Sequence, residues 1–191
     1  CNMLLYFLID TSGSMVGAKI GSVNDTMENI ISELNLYSDN ECVNINVLSF
    51  ARKAKWMYKQ ACSIKDFQWN ILTASGMTSL GNACKLLAKN IEKNAGNDEI
   101  KILLISDGLP TDDFEDGINK LNAVLASIKS HRFAIALEGA DIPTLTTFTG
   151  IKDNVFQLES LDDLMEIMLS TLHITCKTTM STDSAIDDEW S

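Results

Sequence analysis

The sequence predicts an α/β fold: a doubly wound, mostly parallel central sheet with one antiparallel edge strand and helices on both faces. Short apolar runs of strand length, among them Met3–Ile9, Ile100–Ile105 and Phe133–Leu137, alternate with longer segments of helical spacing. That alternation is the pattern of a parallel sheet covered on both sides. Two of the runs lead into an acid, Met3–Ile9 directly into Asp10 and Ile100–Ile105 through Ser106 into Asp107. In open sheets of this kind, sites form where loops leave the carboxyl ends of the strands.

Met3–Ile9 is a continuous apolar run, as expected of a strand buried on both faces. From Ala18 to Leu36, Ile20, Val23, Met27, Ile30, Ile31 and Leu34 recur at helical spacing. Cys42–Phe50 alternates Val43, Ile45 and Val47 with Asn44 and Asn46, a strand with one wetter face. Ala54–Tyr58 reads as its hairpin partner at the sheet edge. Ser79–Ile91 returns to helical spacing, Ile100–Ile105 is a second central strand, and Phe114–Ile128 is helical. Phe133–Leu137 is a third buried strand, Thr144–Phe148 a short helix, Val155–Leu158 a last strand, and Leu161–Leu172 a helix with a Leu/Met face. No repeat or linker interrupts the series. We therefore expect one domain over residues 1–176 and a polar, acidic, mobile tail over 177–191.

A chain of 191 residues suits one well-buried domain. The longest apolar run is far short of the ~20 residues that cross a bilayer, and no leader pattern opens the chain. No membrane insertion is expected. A net charge of −11 argues against nucleic acid, because no broad basic face is left to neutralise phosphates. Cys1, Cys42, Cys62, Cys84 and Cys176 are odd in number and scattered, without C-x-x-C spacing or a nearby histidine. That pattern fits neither zinc nor a disulfide framework; a reducing compartment fits it best, and a cytoplasmic protein is expected. Cys42 and Cys84 lie in apolar patterns and read as small core residues. His131 and His173 read as a turn residue and a helix-end residue.

The first strand runs into Asp10-Thr11-Ser12-Gly13-Ser14. Three readings compete: a helix start capped by serine, a phosphoryl-transfer nucleophile, and a metal site. If the strands ending at Asp10 and Asp107 are neighbours, their carboxylates meet beside Ser12 and Ser14. The loop Thr73–Ser79 then brings Thr78. Alternation lets residues two apart point to one side, with Gly13 relieving the backbone between them. An all-oxygen set favours Mg²⁺ or Mn²⁺ over zinc. Two carboxylates nearly balance a dication, and neutral hydroxyls leave it able to take one more anionic ligand.

These segments, in order and at strand and helix boundaries, resemble the von Willebrand factor A domain and its metal-ion-dependent adhesion site. Ser75–Gly81 and Asp107–Asp113 are similar to the loops of bacterial stand-alone proteins of the tellurite-resistance-associated type. The resemblance covers Met3–Leu172 and implies a Rossmann-like three-layer sandwich. It also implies a divalent cation (Mg²⁺, Mn²⁺ or Ca²⁺) held by Ser12, Ser14 and Thr78, with Asp10 and Asp107 binding directly or through water. A partner protein's Glu or Asp would complete the shell, in a bacterial stress or tellurite-resistance setting with a kinase- or phosphatase-like partner. Met77 departs from the second glycine usual in such loops, which puts the approach of Thr78 in question.

Other motifs are weaker. Asp112 and Glu115 have capping-box spacing at the start of the Phe114 helix, and Thr111 is left without a role. Gly13–Ile20 fails as a P-loop, because its glycine spacing is short and no Ser or Thr follows Lys19. The alternative function is a haloacid-dehalogenase-like, Mg²⁺-dependent phosphohydrolase with Asp10 as nucleophile. It lacks the second aspartate two residues on, since Ser12 cannot protonate a leaving group near neutral pH. The expectation is a non-catalytic, cation-dependent protein-interaction module. An acid of the tail (Asp183, Asp187, Asp188 or Glu189) is a further candidate ligand for the open position.

Overall fold

The computed structural model describes residues 3–37 and 43–171. Cys1, Cys42, His173, Cys176 and the acidic tail fall outside the described residues. In chain order the elements are β1 (Met3–Asp10), α1 (Ala18–Tyr37), β2 (Val43–Phe50), β3 (Ala54–Trp56), β4 (Cys62–Ser63), α2 (Leu80–Asn94), β5 (Glu99–Ser106), α3 (Phe114–Leu125), β6 (Ser130–Ala136), α4 (Ile142–Thr149) and β7 (Val155–Gln157). A last helix, α5, occupies 164–171. Strand order across the sheet is β3-β2-β1-β5-β6-β7, with β4 also on β2. β1, β2, β5, β6 and β7 are mutually parallel, and β3 and β4 run antiparallel to β2.

β1 is apolar on both faces because it is central and covered twice. Leu4, Tyr6 and Leu8 face a core built with α2, α3 and α4. Leu5, Phe7 and Ile9 face the opposite core, with α1 and α5. The period-2 geometry of a strand divides one sequence run between two helical layers. Cys84 is buried in the first of these cores, and burial pushes its thiol up to about 12. It is an inert packing residue, as expected.

The edge beyond β2 is one antiparallel strand broken into two pieces. β3 pairs with Leu48–Phe50 and β4 with Asn44 and Ile45. Sequence reading found only the first piece, since two residues carry no periodic signal. The buried Asn46 side chain bridges the break: its Nδ2 donates to Tyr58 O (2.9 Å), and its Oδ1 accepts from Val47 N (2.9 Å) and Tyr58 N (3.3 Å).

Other boundaries shift for local reasons. α4 begins at Ile142 rather than Thr144, because Asp141 caps it by accepting from Thr144 N and Pro143 opens it. His131 is a residue of β6, not a turn, paired with Lys101 and with its Nε2 3.5 Å from Glu99 Oε1. The polar start Ser130-His131-Arg132 lies largely outside the core, so it gave no apolar pattern. α2 and α3 approach so closely that a Cβ on Gly81 or Gly117 would run into the opposing backbone.

Candidate metal centre

β1 leads onward to β2 on one side, whereas β5 leads to β6 on the other. The carboxyl ends of β1 and β5 therefore flank the point where the connections diverge, the usual place for a crevice. The two strands are direct neighbours, with Ile9 opposite Ile105. Asp10 ends β1 and Asp107 follows β5, so the neighbour condition set by the sequence holds.

Four of the five expected residues form one hydrogen-bonded chain. Asp10 Oδ1 accepts from Ser12 N at 2.9 Å. Ser12 Oγ and Ser14 Oγ are 3.1 Å apart, and Ser14 Oγ donates to Asp107 Oδ1 at 2.7 Å. Because the single Ser14 proton goes to Asp107, Ser12 is the donor in the serine pair. Neither serine caps α1: Ser12 starts a 3-10 turn, Gly13–Met15, without a side-chain cap bond. The hydroxyls face the acids instead. Gly13 does not supply the unusual backbone expected of it; among the described residues the positive φ values fall on Gly17 (+91°), Gly76 (+81°), Gly139 (+93°) and Gly150 (+74°).

Thr78 joins this group through the backbone. Gly13 N donates to Gly76 O (2.8 Å) and Ser75 N to Thr11 O (2.8 Å), which ties its loop to the Ser12 loop. Thr111 N and Oγ1 both donate to Thr78 O at 2.8 Å, which ties it to the loop after β5. Thr111 thus has a role as a clamp. Met77 projects into solvent while Thr78 is buried, so the larger side chain does not hold the loop away. No hydrogen bond joins Thr78 Oγ1 to the other four side chains.

Asp112 is structural, but not in the way its spacing suggests. Its carboxylate accepts from Gly81 N (2.9 Å) and Asn82 N (2.7 Å), capping α2 from across the site. Asp113 caps α3 by accepting from Asp116 N. Ser79, the N-cap residue of α2, is consequently left with a buried hydroxyl that has no partner. The N–H groups that serine would serve are taken by Asp112.

Three further contacts escaped sequence reading. Ser106 Oγ donates to Asp10 Oδ2 at 2.8 Å. Lys19 Nζ donates to Asp107 Oδ2 (2.8 Å) and to Glu138 O (2.9 Å). Ser106 ends the strand beside Asp10, and only the register reveals it. Lys19 carried one faint signal: a cation in the first turn of a helix opposes the helix dipole and needs a local acid to hold it there.

Asp10 is fully buried and has only neutral hydrogen-bond donors; among the described residues no Lys, Arg or His reaches ion-pair distance. Burial pushes its carboxyl above the usual range, opposed by the bonds from Ser12 and Ser106, and the nearby Asp107 charge pushes it further up. A buried carboxylate short of positive charge, next to a second buried carboxylate and hydroxyl oxygens, fits a hard dication. The described residues contain no group of three or more His, Cys, Asp or Glu that could hold a metal. Any coordination here must rest on two acids plus hydroxyls.

The architecture is that of a doubly wound α/β domain with acids and hydroxyls gathered at its topological switch point. The chain belongs to the von Willebrand factor type A domain family, whose profile matches residues 5–169. Among solved structures, it is similar to the open conformation of the pilus adhesin SpaC from Lactobacillus rhamnosus GG. That match has a TM-score of 0.77 at 12% identity and covers 93% of this chain and 30% of that one. It is similar to proximal thread matrix protein 1 from the mussel byssus, solved with a zinc-occupied MIDAS motif. Here the TM-score is 0.68 at 17% identity, over 92% of this chain and 46% of that one. A von Willebrand factor type A protein from Catenulispora acidiphila aligns with a TM-score of 0.67 at 15% identity, over 89% and 42%. At these identities the likeness is one of fold, and this chain spans less than half of each of the three. No curated protein matches the chain. Among the described residues no helix is long and apolar enough to cross a membrane.

Proposed function

We propose that the chain is a non-catalytic, divalent-cation-dependent protein-interaction module that captures an acidic side chain of a partner. The observation that carries this reading is the continuous chain Asp10–Ser12–Ser14–Asp107 at the β1/β5 switch point. Ser12, Ser14 and Thr78 would hold the cation, with Asp10 and Asp107 bound directly or through water. When bound, the cation supplies Lewis acidity toward one anionic oxygen. Hard oxygen donors favour Mg²⁺, Mn²⁺ or Ca²⁺; the zinc in the mussel protein supports a divalent ion at such a motif.

A macromolecular partner is supported by exposed apolar side chains on each of the three loops: Val16 (63%), Met77 (61%) and Leu109 (62%). A solvated ion alone has no use for such a rim, whereas a protein surface does. The phosphohydrolase reading is disfavoured, because both Asp10 oxygens accept hydrogen bonds and the carboxylate is sealed from solvent. The free Cys62 and Cys84 thiols support a reducing, cytoplasmic setting. The resemblance of Ser75–Gly81 and Asp107–Asp113 to tellurite-resistance-associated proteins supports a bacterial stress role with a kinase- or phosphatase-like partner.

The test is partner capture in Mg²⁺ against EDTA, with wild type and a Ser12→Ala/Ser14→Ala double variant. Capture should vanish with EDTA and in the variant, while circular dichroism stays native. Capture that persists through both would overturn the reading.

A further inference from the structure

Lys19 is the one basic side chain that reaches the acids of this site among the described residues. It is also a built contact. The Asp107 side chain is wholly buried, and its two oxygens are divided: Oδ1 receives the Ser14 hydroxyl, and Oδ2 receives Lys19 Nζ. The ammonium group is fixed a second time by the Glu138 carbonyl, on the loop after β6. Lys19 therefore grips the oxygen turned away from the serines and lies one carboxylate's width from the oxygen that faces them. Its place in the first turn of α1, where a cation opposes the helix dipole, gives the helix itself no reason to keep it.

We propose that Lys19 sets the net charge of the loaded site and so trades cation affinity for affinity toward a partner's carboxylate. The inference rests on the metal reading above. Two carboxylates carry two negative charges, and a dication cancels them. Lys19 then leaves the centre one unit positive, which matches a single incoming carboxylate. Like charges so close repel the cation, and the surplus attracts the anion; both effects weaken only partly through solvent, since Asp107 is buried. Without Lys19 the loaded centre is neutral, so it holds its cation more tightly and draws a carboxylate less. The lysine is a positioning and charge-setting residue outside the coordination shell.

The experiment uses Mn²⁺ as the cation and acetate as the carboxylate, on the full chain. Free Mn²⁺ is followed by electron paramagnetic resonance. Acetate binding is followed by the fall in water-proton relaxation enhancement of the loaded protein. Lys19→Gln keeps a donor for Asp107 without the charge, and Lys19→Arg keeps the charge. Lys19→Gln should bind Mn²⁺ roughly tenfold more tightly and acetate roughly tenfold more weakly, a shift in line with one charge at a partly exposed site. Lys19→Arg should stay close to wild type in both. Unchanged constants in Lys19→Gln, or both constants moving in one direction, overturn the inference and leave the metal reading standing. Tighter Mn²⁺ with unchanged acetate also overturns it, because Lys19 would then compete with the metal alone. Failure of wild type to bind Mn²⁺ overturns the metal reading, and this inference falls with it.

Discussion

Asp10 places a carboxyl group in a fully buried position with only Ser12 and Ser106 as donors. Its folded-state pKa is raised, chiefly by burial. In metal-free protein the ionised group is therefore a cost, absent at acid pH and growing as pH rises from its unfolded toward its raised folded value. Asp10→Asn keeps an acceptor for Ser12 N and removes the charge. In EDTA near neutral pH, this variant should be more stable than wild type by about 1 kcal/mol, with the gap closing at acid pH. In Mg²⁺ the order should reverse, because the variant gains nothing from the ion. Urea melts at two pH values, with and without Mg²⁺, decide it; an Asp10→Asn protein that is less stable in EDTA counts against this account. The candidate ligands were legible because each sits where a periodic pattern stops, at a strand end or before a helix. Lys19 and Ser106 were not legible, since their contacts cross between elements whose neighbourhood only the folded sheet defines.

At the level of elements, the cap of α2 shows where local pattern misleads. Asp112 and Glu115 have the spacing of a box on α3, yet Asp112 reaches back to Gly81 N and Asn82 N, and Asp113 caps α3. A sequence window sees only neighbours along the chain, whereas the loop after β5 folds over the start of α2. Asp112→Ala should cost about 1 kcal/mol, the ordinary worth of a cap. Ser79→Ala should cost nothing or stabilise slightly, since its hydroxyl is buried without a partner. In the absence of Asp112 the Ser79 hydroxyl can turn to the same N–H groups. The double variant should then lose more than the sum of the single changes. Strict additivity in thermal or chemical denaturation would contradict the substitution of one cap for the other. The alternation of strands and helices was fully legible, because central strands covered on both faces are apolar throughout. β4 and the start of β6 were not, because a two-residue strand has no period and the first three residues of β6 have little core to face.

For the molecule as a whole, the proposed centre lies among three loops that backbone bonds tie together: Gly13 to Gly76, Ser75 to Thr11, and Thr111 to Thr78. An ion bound there should stabilise the native state by mass action, by ~2.7 kcal/mol at one hundred times its dissociation constant. For a domain of this size that corresponds to a rise in Tm of roughly 5–10 °C. Calorimetry in Mg²⁺ and in EDTA reads it directly, and the Ser12→Ala/Ser14→Ala variant should show no rise; an equal rise in both would place the ion elsewhere. The sheet's two flanks bear on a different property. β7 is three residues long, and on the other flank the edge is split into β3 and β4 around the Asn46 amide. Among the described residues, neither edge strand offers a long run of regularly spaced, unpaired backbone on which a second chain could add a strand. The fold thereby resists templated self-association, which leaves the loops at the carboxyl end of the sheet as the contact surface under the proposed function.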